Sequence, residues 1–279
     1  MLELKEFITN ANKLFTIPDI CLSLNELIAQ NHCTVENIAT VVSHDPALCI
    51  RVLKLANSAL YGRKAQVSSI DQAILIIGTD ELCNIAVATA AALIFKGIGE
   101  SRINLNDYWY HSVYTAVTAQ QIHKRCFGKR QGSLFVAGLL HNIGLLVVLE
   151  RLPYLSIDLC HYIGTNKRPA SYQRNKLGFY FSDVSAGLLG HWNLPVSLIH
   201  VIGHQHKINK DQKDNESSLS LYAAIKIADA ALSKQQPLEL ENIFSPQDAS
   251  LLKLEQASFE QIIEFSEANI QSVIDIIQG

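Results

Sequence analysis

The spacing of the apolar residues restricts the fold more than any other feature of this chain. Apolar side chains recur at intervals of three and four positions in nearly every long segment, which is the period of one face of an α-helix. No set of segments with strict two-residue alternation, bounded by tight hairpin turns, is found. The sequence therefore predicts an all-α fold built as two packed helical subdomains.

Two polar stretches interrupt the helical pattern. Residues 97–107 (GIGESRINLND) carry glycines and polar side chains between two apolar segments, and they predict the join between the subdomains. Residues 209–218 (NKDQKDNESS) contain nothing that could be buried and predict a solvated loop. We therefore expect an N-terminal subdomain over residues 1–100, a second subdomain over residues 101–235, and C-terminal helices over residues 236–279 that pack on them.

Local capping signals mark several helix ends. Asp45 precedes Pro46, which predicts an N-cap followed by proline at the first helical position. Ser68 and Asp71 resemble a capping box for the next helix, and Gly78 predicts where that helix ends.

Composition and charge exclude several classes of protein. The chain has 279 residues, is 48% hydrophobic and 18% charged, and carries a net charge of −3, a balance typical of a globular protein and not of a disordered one. The weak negative charge offers no general attraction to the phosphates of nucleic acid or to anionic lipid. We therefore expect neither nucleic acid nor a membrane as a partner.

The cysteines and the apolar runs indicate the compartment. The six cysteines are far apart and include no C-x-x-C pair, which argues against a zinc ribbon and indicates reduced thiols. The first ten residues, MLELKEFITN, lack the basic and apolar regions of a signal peptide. The longest largely apolar run, taken as residues 85–95, is shorter than the roughly 18 to 20 residues of a membrane span. These features predict a cytoplasmic protein.

His141 is the first candidate functional residue among ten histidines. It lies in AGLLHNIG, on a helix whose interior face carries Leu134, Ala137 and Leu145 at helical spacing. A buried histidine needs hydrogen-bond partners or a metal ion. Taken by itself, a hydrogen-bonded core histidine is the plainer interpretation of His141.

Asp229 is the second candidate. It lies in IKIADAAL, on the apolar stripe that includes Leu221 and Ile225. An inward-facing carboxylate is costly unless it is paired or binds a cation. The pattern therefore predicts a specific partner for Asp229, and His111 and His204 are the candidates.

A rival metal site is the pair of His200 and His204, four residues apart on one helical face as in zinc-binding helices. The glutamate that acts as the base in H-E-x-x-H is missing, because Val201 follows His200. A solvated or half-buried histidine face is the plainer interpretation of this pair.

Two consecutive segments resemble a known family. Residues 45–62 (DPALCIRVLKLANSALYG) and 67–82 (VSSIDQAILIIGTDEL) are similar to the N-terminal signature of HDOD proteins (HD-related output domain), which are all-helical bacterial signalling modules. The segments YWYHSVYTA, FVAGLLHNIG, LLGHWNLP and IADAAL follow in the family's order, so the resemblance covers residues 17–232. It implies that the second subdomain is HD-domain-like.

The turn ANSALYG lies inside this signature. Asn57 and Ser58 follow an apolar helix and can bond the backbone at its end, while Tyr61 offers an aromatic body with a polar tip. We expect this family-signature turn to be partly a structural helix stop and partly a recognition surface.

The HD-type phosphohydrolases related to this family use histidines and an HD dipeptide to hold one or two divalent metal ions. By this resemblance, His111 matches the first histidine and His141 the histidine of the HD pair. His204 matches the first histidine of a later pair, and Asp229 matches the last carboxylate.

Three positions depart from the metal-binding pattern. Asn142 replaces the aspartate of the HD pair, Phe181 stands in the place of a further histidine, and Gln205 replaces the second histidine of the later pair. A neutral amide cannot bridge two cations as a carboxylate does. The His44-Asp45 dipeptide belongs to the N-terminal signature and not to the metal site.

The resemblance therefore implies a non-catalytic signal-transduction module that requires no cofactor and binds a partner protein or a small signalling ligand. The alternative is a metal-dependent phosphohydrolase with a reduced site, acting on a nucleotide or a cyclic dinucleotide. That alternative would retain at most one divalent metal ion. The candidate site, with Asn142 beside the four matched ligands, comprises His111, His141, Asn142, His204 and Asp229.

Overall fold

The structure is a computed structural model that describes residues 3–17, 19–29, 34–61, 66–94, 103–128, 131–155, 169–206, 216–233 and 237–278. Within these residues the chain forms helices joined by turns and contains no strand. The predicted all-α fold is confirmed.

Two groups of helices pack around a shared core, those within residues 19–94 in one and those within residues 105–151 and 181–232 in the other. Two short 3₁₀ segments, Ala59–Tyr61 and Pro153–Leu155, also occur in the described part of the chain. In chain order the described α-helices are α1 (Leu4–Asn12), α2 (Asp19–Ala29), α3 (Val35–Ser43), α4 (Pro46–Ala56), α5 (Ile70–Ile77), α6 (Thr79–Ile94), α7 (Leu105–Phe127), α8 (Ser133–Leu140), α9 (Ile143–Arg151), α10 (Pro169–Leu177), α11 (Phe181–His191), α12 (Val196–Gly203), α13 (Glu216–Leu232), α14 (Leu240–Ile243), α15 (Pro246–Leu252) and α16 (Gln256–Gln278).

The ends of α4 and α5 follow from local chemistry. The Asp45 side chain accepts hydrogen bonds from the N–H groups of Ala47 and Leu48, both at 3.0 Å, so the predicted N-cap of α4 is confirmed. At α5 the cap is Ser69 and not the predicted Ser68, because the helix begins one residue later, at buried Ile70. The predicted end of α5 is confirmed, and Gly78 adopts a φ of +88° there.

The long helix α7 lies at the centre of the second group, in contact with α8, α13 and α16. Residues 112–123 of α7 are buried without exception, as expected for a helix covered on all sides. The C-terminal helix α16 also contacts α4 and α6. The last helix therefore packs on both groups.

The first helix packs far from its neighbours in sequence. Helix α1 contacts α11, and the rings of Phe7 and Phe179 lie 5.4 Å apart. The indole Nε1 of Trp192 donates a hydrogen bond to the carbonyl oxygen of Phe15 at 3.0 Å. The expected boundaries near residues 100 and 235 stay predictions. Helix α1, which lies within the expected first subdomain, packs on a helix of the expected second one.

The predicted polar stretches lie largely outside the described residues. Of the expected join at 97–107, residues 97–102 are outside them, and α7 begins at Leu105. Of the expected loop at 209–218, residues 209–215 are outside them. Its last three residues are helical, because α13 begins at Glu216.

One apolar stretch is longer than the run at residues 85–95. Residues Ser133–Arg151 are long and apolar enough to cross a membrane by length and composition, yet 83% of the most apolar 18-residue window is buried inside the protein. A turn at His141 and Asn142 divides it into α8 and α9. The stretch therefore packs as two helices of the core.

The signature turn after α4 is joined to the following loop by Asn57. The Asn57 side-chain amide donates to the carbonyl oxygens of Leu53 (2.9 Å) and Val67 (2.8 Å), and its oxygen accepts from Val67 N–H (2.7 Å). Tyr61 is buried, with 7% exposure, so the expected aromatic recognition surface is wrong for this residue. Its phenol hydroxyl points inward and donates a hydrogen bond to the carboxyl group of Glu81 on α6.

Removing the Asn57 side chain should destabilise the protein. Asn57→Ala leaves the Val67 N–H and carbonyl without their partners, and we expect the free energy of unfolding to fall by about 2 kcal/mol. Chemical denaturation measures this loss. The control is Asn242→Ala, which removes an exposed side-chain hydrogen bond and should change the stability by less than about 0.5 kcal/mol. Equal stability of Asn57→Ala and wild type would contradict the structural role.

Gly138 should tolerate no side chain. A Cβ at this position would overlap the backbone of Ala116 on α7, so Gly138→Ala must separate two packed helices, and we expect a loss of about 3 kcal/mol or more. Gly190→Ala is the matched control, because a Cβ there meets only Ile199 at 3.9 Å. That control should be neutral or stabilising by up to about 1 kcal/mol. Similar stabilities of the two variants would contradict the close helix contact.

Candidate functional site

The crossing of α7 and α8 brings two of the candidate histidines together. At Gly138 the backbones of the two helices approach too closely for any side chain between them. One turn away on each helix, the rings of His111 and His141 lie with their centroids 5.4 Å apart. The site is therefore built on two helices of the core and not on loops.

His141 lies at the C-terminal end of α8, where the chain turns into α9. The side chain is buried, and its Nδ1 donates to the carbonyl oxygen of Gly138 at 2.7 Å. Burial, followed by the nearby His111 ring, lowers the pKa of His141 to about 3. The imidazole is therefore neutral at physiological pH, with Nε2 as its hydrogen-bond acceptor.

The backbone of His141 is held by two polar side chains. Its carbonyl oxygen accepts from Ser185 Oγ at 3.0 Å and from Gln205 Nε2 at 3.2 Å. Ser185 Oγ also accepts from the N–H of Gly144 at 2.9 Å. These bonds join the turn between α8 and α9 to α11 and to the segment after α12.

Asp229 on α13 pairs with His111 on α7. The Asp229 Oδ1 atom lies 2.8 Å from His111 Nε2. The Asp229 side chain is 44% exposed and the His111 side chain 12% exposed. Asp229 faces His111 but stays half-exposed, because its position on α13 lies at the edge of the core. Of the two partners proposed for it, the structure places His111 in contact.

His204 is not part of this cluster. Helix α12 ends at Gly203, and His204 forms its exposed C-cap with Nδ1 at 2.9 Å from the carbonyl oxygen of His200. The rings of His200 and His204 stack at 4.1 Å with an angle of 23°. Side-by-side rings do not converge on one ion, so the H-x-x-x-H zinc pair is not formed either.

His206, two residues beyond His204, interacts electrostatically with the cluster. Its positive form would repel a charge on His141, and it lies within the electrostatic reach of Asp183 and Asp229. Although the side chain keeps an exposed face, the protein around the ring lowers the pKa of His206, and the two carboxylates act in the opposite direction. The ring also lies 5.6 Å from that of Tyr180.

Two of the three positions that depart from the metal-binding pattern have clear structural roles. Phe181 is buried in the core and begins α11. Gln205 is buried and bonds the His141 backbone, while its Oε1 has no partner among the described residues. Asn142 is half-buried at the start of α9, and its side chain does not cap that helix.

These residues do not fit a metal ion. Within the part of the chain that the structure describes, no three His, Cys, Asp or Glu side chains are arranged to hold one. His111 Nε2 and Asp229 Oδ1, two atoms that would bind an ion, are bonded to each other. The amide of Asn142 supplies no bridging charge. The arrangement is a hydrogen-bonded polar site with one direct histidine–carboxylate pair.

Three residues near the site, His206, Asp183 and Ser185, were not predicted from the sequence. Gly203 is the residue that could have pointed to His206. Because α12 ends at Gly203, helical spacing does not predict where the residues after it face. The signal for Asp183 was its place in the first turn of α11, where it accepts from Tyr180 N–H at 2.8 Å. Nothing in the pattern distinguishes Ser185 from other buried serines.

Comparisons with known proteins agree with this architecture. The structure superimposes on a candidate phosphohydrolase from Shewanella amazonensis with a TM-score of 0.74 and 21% identity, covering 98% of this chain and 97% of that one. A candidate signal transduction protein from Marinobacter aquaeolei gives 0.71 and 19%, covering 99% and 66%. An HDOD domain protein of unknown function from Geobacter sulfurreducens gives 0.62 and 19%, covering 99% and 98%. At these identities the likeness establishes the fold.

A relative is also found by sequence. An uncharacterized protein of Treponema pallidum is 24% identical over 230 residues, which are 80% of this chain but 43% of that protein, so the chain spans less than half of its relative's length. Residues 14–208 match the HDOD domain. The match covers more than half of the sequence, and the chain belongs to the HDOD domain family.

Proposed function

We propose that this chain is a signal-transduction module of the HDOD type, whose histidine site binds a partner protein or a small signalling ligand without hydrolysing it. The observation that carries the proposal is the direct bond between His111 Nε2 and Asp229 Oδ1 at 2.8 Å. In a metal-dependent hydrolase these two groups would be ligands of an ion that activates water. Here they satisfy each other.

The charges around the pair support the same conclusion. His141 is neutral, and Asp183 and Asp229 both lie near His206. A phosphoryl group brought to this site would meet carboxylates and an uncharged imidazole, and the described residues offer no cation site to balance its charge. Such a site can recognise a ligand through hydrogen bonds but offers little to stabilise phosphoester cleavage.

Family membership supports a signalling role. One of the similar solved structures is named as a candidate signal transduction protein and another as a candidate phosphohydrolase. The chemistry of the site must decide between these two functions for this chain. The free thiols of Cys21, Cys49 and Cys126 agree with a reducing compartment. We place the module in the bacterial cytoplasm on this basis.

A combined metal and hydrolysis assay tests the proposal. After incubation with Mn²⁺ and dialysis, the protein should retain well below one equivalent of metal, and it should not cleave bis(p-nitrophenyl) phosphate faster than Mn²⁺ alone. Asn142→Asp should recover metal binding only weakly, because Phe181 and Gln205 remain. About one retained equivalent, with turnover that His141→Ala abolishes, would establish the phosphohydrolase instead.

The same samples can be screened for binding with AMP, GMP, cyclic di-AMP and cyclic di-GMP. A nucleotide that uses the site should raise the melting temperature of the wild type and not of Asp229→Asn, and it should be recovered intact. Recovery of cleaved nucleotide would contradict a non-catalytic site.

The neutral state of buried His141 predicts an acid-sensitive fold. Its pKa falls from 6.5 to about 3 on folding, so between these values the unfolded chain binds the extra proton. Stability is therefore lost as the pH falls from 6.5 towards 3, with a slope of up to about 1.4 kcal/mol per pH unit from this residue. Urea denaturation between pH 6.5 and 4 should show a shallower slope for His141→Gln. Ser185→Ala perturbs the same turn without removing a titrating group and should keep the wild-type slope, and an unchanged slope in His141→Gln would disprove the assignment.

A further inference from the structure

A buried carboxyl group connects the family-signature turn to the second group of helices. Glu81 on α6 is only 8% exposed, and its Oε1 accepts hydrogen bonds from the Tyr61 hydroxyl and, at 3.4 Å, from Gln120 Nε2 on α7. Tyr61 belongs to the N-terminal group of helices, whereas Gln120 belongs to the second. A single side chain thus bonds residues of both groups.

The other carboxylate oxygen lies at the start of α8. A Cβ on Gly132, the residue that precedes α8, would overlap the Glu81 carboxylate. Gly132 has no side chain to cap the helix, and an acidic group beside the first turn of a helix is favourable because the exposed N–H groups give that end a partial positive charge. Glu81 therefore supplies, from α6, the negative group that the N-terminal end of α8 lacks.

Helix α8 connects the Glu81 contact at one end to the candidate site at the other. It is eight residues long, about 12 Å, and residues 134–140 are all buried. Its far end is His141, whose ring orientation is fixed by the hydrogen bond to Gly138 within the same helix. Between the two ends, Gly138 lies against the backbone of Ala116. A short helix held at its middle transmits a displacement of one end to the other.

We propose that α8 is a coupling element, in which the Tyr61–Glu81 contact positions the N-terminal end of the helix and thereby sets the position of His141 in the site at its other end. The signature turn then acts on the site through the buried Tyr61 side chain. Binding at the site and rearrangement of the N-terminal helices become linked events. This coupling goes beyond the proposed function, because it depends on α8 and not on what the site binds.

Nuclear magnetic resonance of the whole chain with isotope-labelled histidine rings tests the coupling. Tyr61→Phe removes the hydroxyl that bonds Glu81 and keeps the aromatic body in the core. We expect the His141 ring signals to shift, and the amide hydrogen exchange of residues 134–140 to accelerate about tenfold. His123 lies elsewhere on α7 and bonds Ser220 of α13, so its signals should stay in place.

Two further variants separate coupling from general destabilisation. Thr34→Ala removes the N-cap of α3 and weakens the N-terminal helices without touching Glu81, so it should leave the His141 signals unchanged. Glu81→Gln should act at least as strongly as Tyr61→Phe, and the double variant should resemble Glu81→Gln alone, since both changes act through one contact.

Unchanged His141 signals in Tyr61→Phe and Glu81→Gln would overturn the proposal, as would an equal shift in Thr34→Ala. If Glu81→Gln does not fold, the comparison of Tyr61→Phe with Thr34→Ala decides the matter alone. No ligand or metal is used in these measurements, so their failure would leave the proposed function of the site standing.

Discussion

The contact between α7 and α8 at Gly138 is the constraint on which the site depends. The axes of two packed helices normally lie about 8 to 10 Å apart, with side chains between them. Here the absence of a Cβ lets the backbone of α8 reach that of Ala116, and this approach places the rings of His111 and His141 5.4 Å apart. Backbone packing therefore brings the two histidine rings close together, and their own hydrogen bonds then fix the orientation of each ring.

Hydrogen bonds connect the residues of the site. His111 bonds Asp229 directly, His141 bonds the backbone of its own helix, and Gln205 bonds the backbone of His141. Burial keeps His141 uncharged. The result is a polar cluster whose side chains are held by bonds to neighbouring helices, while Gln205 Oε1 has no partner among the described residues.

Periodicity was sufficient to predict the helical fold, and inward-facing patterns pointed correctly to His141. Asp229 was predicted to have a partner, but its exposure depends on where α13 lies at the edge of the core, which one helix's pattern does not contain. His204 and His206 show the limit of spacing arguments. Helical spacing holds only inside a helix, and Gly203 ends α12 just before these residues. Tyr61 was expected at the surface because a polar tip is compatible with either environment, and its partner, Glu81, lies twenty residues away in sequence.

The packing of α1 against α11 has a consequence for how the chain folds during synthesis. The contact between Phe7 and Phe179 closes a loop of about 170 residues, whose entropy must be overcome before the contact contributes anything. At roughly 5 to 20 residues per second, the ribosome needs about 10 to 30 seconds to deliver the second partner after the first. Throughout that interval the apolar face of α1, with Phe7, Ile8 and Ala11, lacks the surface of α11 that it contacts in the native structure, so α1 is among the last of the described helices to reach its native place.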